Sequence, residues 1–152
     1  MLRRDGCLDF RTGYAYDLQT YFDERTDIHH ICPQAWCKAN GIDARRCDCV
    51  VNKTPISAKT NRMIGGNAPS VYLARVQKNA DIEPARMDDI LRSHLIDPAA
   101  MRADDFDRFF QARSQALLEK IEKAMGKPIA RETVEVDVPD AVEYEVEDAG
   151  VA

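Results

Sequence analysis

The feature that most restricts the fold is a run near the C-terminal end in which Phe106, Phe109, Phe110, Leu117, Ile121 and Met125 recur at helical spacing. Such a stripe belongs to an amphipathic helix that must lay one side on a core. Asp104 and Asp105 fall where a helix N-terminus favours negative charge, and Gly126 stands where a C-terminal cap belongs. The spacing therefore predicts a helix over 103–125 with that stripe buried. Two shorter helices precede it. One starts after Gly65-Gly66 with Pro69 at its first position and Val71, Tyr72 and Val76 on one face; the other covers 84–95 with Met87, Ile90, Leu91 and Leu95 as its stripe.

Upstream the pattern changes. Aromatic residues at Phe10, Tyr14, Tyr16, Tyr21 and Phe22 are separated by polar ones, which suits short strands or irregular structure over 9–27. Ile28 and Ile31 then alternate around His29 and His30 until Pro33 stops the run, predicting a short strand that enters a turn. Trp36 falls on a helical turn ending near Asn40-Gly41, Cys49–Asn52 resembles a second short strand, and Ser57–Ile64 begins a helix capped by Ser57 or Thr60. The order is strand, loop, strand, helix, followed by helices, which is an α+β arrangement without internal repeats.

A chain of 152 residues suffices for one domain with a loose end. No apolar run approaches the roughly 20 residues of a membrane span. Basic residues at the N-terminus are not followed by an apolar stretch, so the expectation is a cytoplasmic protein with no membrane partner. Five cysteines are an odd number, which argues against a disulfide framework. Reduced thiols are the first reading; Cys32-x4-Cys37 and Cys47-x-Cys49 lack the paired knuckles usual for structural zinc.

The net charge of -5 conceals a division. Between Arg45 and Lys78 stand seven basic residues and one acidic residue, Asp48, whereas Glu132–Ala152 has eight acidic residues and no basic one. A locally positive surface can thus meet a polyanion, although a solvated face has the same composition. The end of the chain reads as an acidic tail or, from Val134, Val136 and Val138, an edge strand.

Adjacent side chains on a strand point to opposite faces, so His29 and His30 could perform two tasks, one binding a metal and the other handling a proton. An isolated pair reads equally well as packing or surface histidines. The remaining pattern separates these readings: His30, Pro33, Asn52, Asn61 and Arg62 follow in order. In these residues the chain resembles the HNH endonuclease superfamily, whose ββα-metal motif joins a histidine-bearing strand to a helix carrying the last cation ligand. Longer words, His29-His30-Ile31-Cys32-Pro33, Val51-Asn52-Lys53-Thr54-Pro55-Ile56-Ser57, Thr60-Asn61-Arg62 and Ala68-Pro69-Ser70-Val71-Tyr72-Leu73, resemble the C-terminal nuclease region of GmrSD-type modification-dependent restriction enzymes. A weaker likeness through Phe110-x2-Arg113 and Met125-Gly126 extends it over residues 5–126.

The resemblance implies an HNH-like nuclease domain over 1–126, with its core motif at 26–66 and a helical extension, followed by the tail at 127–152. It makes His30 the general base, His29 and Asn61 the ligands of one divalent cation, and Asn52 the residue that pins the loop between the strands. It also implies DNA as substrate, a place in restriction or phage defence, and an NTP-using or specificity subunit as partner, since such relatives are longer. Many family members have Asp where this chain has His29. Mg²⁺ or Mn²⁺ is the first expectation for the cation, and the imidazole adds Zn²⁺, Ni²⁺ or Co²⁺. Asp27, on the same strand face, is a candidate extra carboxylate or a residue orienting His29. Lys53, Lys59 and Arg62 are candidate contacts to phosphates flanking the cut, with Arg45 and Arg46 as further ones. Trp36 and Tyr72 are assigned to the core and His94 to no function. Two other readings stand beside the nuclease reading: a DNA-binding module of this fold that no longer cuts and acts with a partner subunit, and a cysteine-rich zinc-binding interaction protein that uses Cys47, Cys49 and the acidic tail.

Overall fold

Pro33 ends the first strand as its position suggests, and the strand itself, β1, covers Asp27–His30. The computed structural model describes residues 6–15 and 26–129. β1 pairs antiparallel with β2, Lys53–Ile56, in the register Asp27 to Ile56, Ile28 to Pro55, His29 to Thr54 and His30 to Lys53. Between the strands lie two short helices, α1 (Gln34–Ala39) and α2 (Ala44–Cys47), and a 3-10 turn at Val50–Asn52. The Asp43 carboxylate starts α2 by accepting from the backbone N–H groups of Arg45 and Arg46.

Here the structure corrects the strand expected at Cys49–Asn52. Val50 and Val51 give those residues a strand-like composition, but Asn52 turns the backbone. Its buried side chain accepts from Cys32 N–H at 2.8 Å and donates to the carbonyls of Cys32 at 2.9 Å and Cys47 at 2.8 Å. A side chain that satisfies three inward backbone groups stabilises the turn over an extended path, and the ladder begins one residue later.

Ser57 caps α3, Ala58–Ile64, its Oγ accepting from Thr60 N–H. Gly65 ends that helix at φ 56°, a conformation costly for residues with a Cβ. Helices α4 (Pro69–Ala80), α5 (Pro84–Ser93) and α6 (Pro98–Arg102) each open on proline, whose missing N–H is harmless at a first helical position. On α4 the buried residues are Pro69, Tyr72, Leu73 and Val76, while Val71 of the expected stripe is exposed. Leu95 lies beyond α5 with φ 60°, half-buried, and Ile96 takes the core place expected of it.

The long helix α7 covers Phe106–Met125 and begins later than its sequence suggests. Asp104 has φ 54° and uses its carboxylate to accept from Ser70 N–H and Ser70 Oγ–H at the start of α4, while Asp105 caps α7. Phe106 and Phe109 are buried, but Phe110 and Leu117 are half-buried, Ile121 is 37% exposed and Met125 is 52% exposed. The first half of the stripe packs, and the second half runs past the core. Gly126 ends the helix in the left-handed conformation.

One apolar core joins these elements, from Phe10 through Ile31, Ile56 and Ile64 to Tyr72, Leu91, Met101 and Phe109. Tyr72 is fully buried and donates its hydroxyl to Ile31 O at 3.0 Å; Trp36 is half-buried at the edge of the core. The architecture is therefore α+β. Among the described residues no helix is long and apolar enough to cross a membrane. At the start of the segment 9–27, Ala15 forms an isolated bridge with Leu8, and 16–25 lies outside the described residues, as does the acidic segment 132–152.

Candidate functional site

The end of β1 and the middle of α3 meet at a small polar cavity of about 180 Å³ lined by His29, His30, Pro33, Gln34, Asn61 and Gly65, among others. Three local causes bring the polar residues together. Pairing with β2 fixes β1; the Asn52 carboxamide holds Cys32 and thereby the chain leaving His30; the Ser57 cap starts α3 so that Asn61 falls one turn in. The cavity thus joins His29, His30 and Asn61, residues up to 32 positions apart in the chain. Asn52 stands beneath the loop and does not line it.

His29 and Asn61 are half-buried, and among the described residues neither side chain makes a hydrogen bond. An imidazole nitrogen and an amide oxygen facing one polar cavity are a donor pair that fits a divalent cation, with water and phosphate oxygens completing its coordination. Among the described residues no three His, Cys, Asp or Glu side chains gather as a protein cage for a metal. Asp27 is not among the residues lining this cavity: it is exposed, and its Oδ1 accepts from Ile28 N–H at 2.7 Å.

His30 has a partner that sequence reasoning did not assign. Its Nε2 lies 3.1 Å from Asp48 Oδ1, and Lys53 Nζ lies 2.8 Å from the same oxygen. The Lys53 ammonium, and after it the His30 hydrogen bond, hold the Asp48 carboxyl below its ordinary range. The only trace of this in the sequence is that Asp48 is the sole acid between Arg45 and Lys78.

The basic residues divide. Lys59 and Arg62 are exposed on α3, the helix that carries Asn61. Lys53 is engaged by Asp48, and Arg46 is committed to α7: its guanidinium ion-pairs Asp107 at 2.7 Å and lies over the Phe106 and Phe110 rings. Arg45 is exposed on α2.

Behind the sheet lies a second polar assembly. Buried His94 has Nε2 2.6 Å from Leu8 O, so that nitrogen carries the proton and Nδ1 accepts from Thr54 Oγ at 2.7 Å. Burial pushes its pKa down to about 4. Buried Arg113 donates to the carbonyls of His94, Val51 and Lys53, tying α7 to the strand. The cysteines are free. Cys32, Cys37 and Cys47 are buried together; burial raises Cys37 to about 12 and Cys32 further, which keeps them as thiols.

No family model matches the chain. It is 30% identical over 118 residues to an uncharacterized protein of Methanocaldococcus jannaschii. That alignment covers 64% of this chain but 20% of the archaeal protein, so the chain spans about a fifth of this relative's length. No solved structure matches.

Proposed function

We propose that this chain is a metal-dependent endonuclease of the HNH type, akin to the nuclease region of GmrSD-type restriction enzymes, that hydrolyses DNA phosphodiester bonds. The observation that carries this reading is the single polar cavity shared by His29, His30 and Asn61, at the junction of two antiparallel strands and the following helix. These are the residues that the resemblance makes base and ligands. The strand, strand, helix order supports assigning an HNH core to 26–66.

His29 and Asn61 would hold one divalent cation, with Mg²⁺ or Mn²⁺ first and Ni²⁺ or Zn²⁺ favoured by the imidazole. When bound, such a cation supplies positive charge to a non-bridging phosphate oxygen and to the departing oxyanion. The imidazole of His30 takes a proton from water as the water oxygen bonds to phosphorus. The bond from phosphorus to the leaving deoxyribose oxygen breaks, and that oxygen gains a proton from solvent. Lys59 and Arg62 contact flanking phosphates and provide affinity with little sequence choice. Asn52 keeps the base-bearing strand and the loop in register.

Cleavage of supercoiled plasmid by the purified protein with Mg²⁺, Mn²⁺, Ni²⁺ or Zn²⁺, against EDTA and His30→Ala controls, tests this reading. Nicking that needs both metal and His30 supports it. Salt-sensitive DNA binding without cleavage under any cation sinks it in favour of a non-cutting DNA-binding module. A restriction or phage-defence role and an NTP-using or specificity subunit belong to the same proposal and rest on the resemblance.

A further inference from the structure

Asp48 belongs to neither the metal pair nor the phosphate contacts, yet it is the acid that touches His30. We propose that Asp48 is the positioning residue of the nuclease site: it fixes the ring orientation and tautomer of His30 so that Nδ1 is the nitrogen that accepts the water proton. This inference rests on the nuclease reading for its catalytic consequence, and on geometry alone for the tautomer.

The geometry runs from the acceptor to the base. An ionised carboxylate can only accept, so a hydrogen bond at 3.1 Å between Asp48 Oδ1 and His30 Nε2 places the imidazole proton on Nε2. A neutral imidazole has one N–H, and the lone pair therefore stands on Nδ1. The ring lines the cavity shared with His29 and Asn61, where a water and a phosphate would lie. As Nδ1 takes the proton, the imidazolium that forms keeps Nε2–H directed at the carboxylate, and Asp48 remains ionised.

Asp48 is held in place from two sides. It is the C-terminal cap of α2, its backbone N–H bonded to Ala44 O at 3.0 Å, and its Oδ1 is also held by Lys53 Nζ at 2.8 Å. Lys53 faces His30 directly across the ladder, so strand register delivers both partners to one oxygen. Lys53 thereby changes role, from a phosphate contact to a clamp on the carboxylate. His94 offers an internal comparison, because its Nε2–H is fixed by the Leu8 carbonyl and has no link to Asp48.

The test combines imidazole ¹⁵N spectra with steady-state kinetics on wild type, Asp48→Ala and Lys53→Ala, all above the pH at which imidazole is neutral. Asp48 is exposed and Lys53 half-buried, and equal thermal unfolding establishes that the variants fold. In wild type, His30 should show the Nε2–H form with a proton slow to exchange. In Asp48→Ala it should fall to the mixture shown by the urea-unfolded chain, with His94 unchanged and kcat reduced about tenfold at a KM within about twofold. Lys53→Ala should give a smaller change in the same direction. A His30 spectrum identical in wild type and Asp48→Ala overturns the assignment, as does an altered spectrum with unaltered kcat. If wild type cuts no DNA with any cation, the nuclease reading falls, while the ring signals still decide whether Asp48 sets the tautomer.

Discussion

Around the β1–β2 ribbon, two pairs of similar polar residues differ in how completely their hydrogen bonds are used. Behind it, Asn52 and His94 are buried, and every polar atom of both side chains except one lone pair of the Asn52 oxygen has a partner. At its end, Asn61 and His29 are half-buried and make no side-chain hydrogen bond among the described residues. Buried polar groups left unpaired cost stability, so the satisfied set helps hold the scaffold together. Groups kept at a wet cavity with open valences retain the capacity to bind something else. Among these four residues the same types thus divide into a buried, satisfied pair and an open pair at the cavity.

This contrast can be broken at its sharpest point first. His30→Ala should reduce plasmid cleavage by roughly 10²–10⁴-fold, the range of a general base, with thermal unfolding unchanged. A comparable loss of stability would move His30 into the scaffold. Asn52→Ala should do the reverse: it strands three buried backbone groups and should cost about 3 kcal/mol, read from the urea midpoint. A change below about 1 kcal/mol would show that the loop is held by other means.

His94 sharpens the comparison through pH. Its folded pKa is about 4 against an ordinary 6.5, so between those values the unfolded chain binds more protons than the folded one. Stability from this group is complete above about pH 6.5, declines as pH falls towards 4, and amounts to about 3 kcal/mol in all. The difference in urea midpoint between pH 7 and pH 4 should therefore shrink in His94→Gln, and an equal difference in both proteins would refute the assignment. The smallest effect is expected at Ile121, on the overrunning half of α7: Ile121→Lys should change stability by under about 0.5 kcal/mol.

What sequence reasoning could reach follows the same division. β1, α1, α3, α4 and α5 are legible because their signals are local: Pro33, the Ser57 cap, Pro69 and Pro84; Gly126 marks the far end of α7, whereas the short helix α6 at Pro98 was not expected. Cys49–Asn52 was misread because the deciding force on Asn52 comes from Cys32, 20 residues away. The start of α7 was misplaced because Asp104 serves Ser70 on another helix. His94 gave no sign of its place, since its partners are Thr54 and Leu8, 40 and 86 residues distant. Asp48 was visible as an anomaly of charge, but only the strand register sets it against His30.

Arg113 reaches from α7 to the carbonyls of Val51 and Lys53, immediately beside Asn52 and the strand opposite His30. The ββα segment is consequently not a portable cassette. Among the described residues, 26–66 contain every residue that lines the cavity, yet a graft of that stretch into another protein would leave behind the guanidinium that braces its second strand. Insertions or truncations within the C-terminal helix should therefore be felt at the cavity, and natural recombination that preserves the site would have to carry the helix along with the motif.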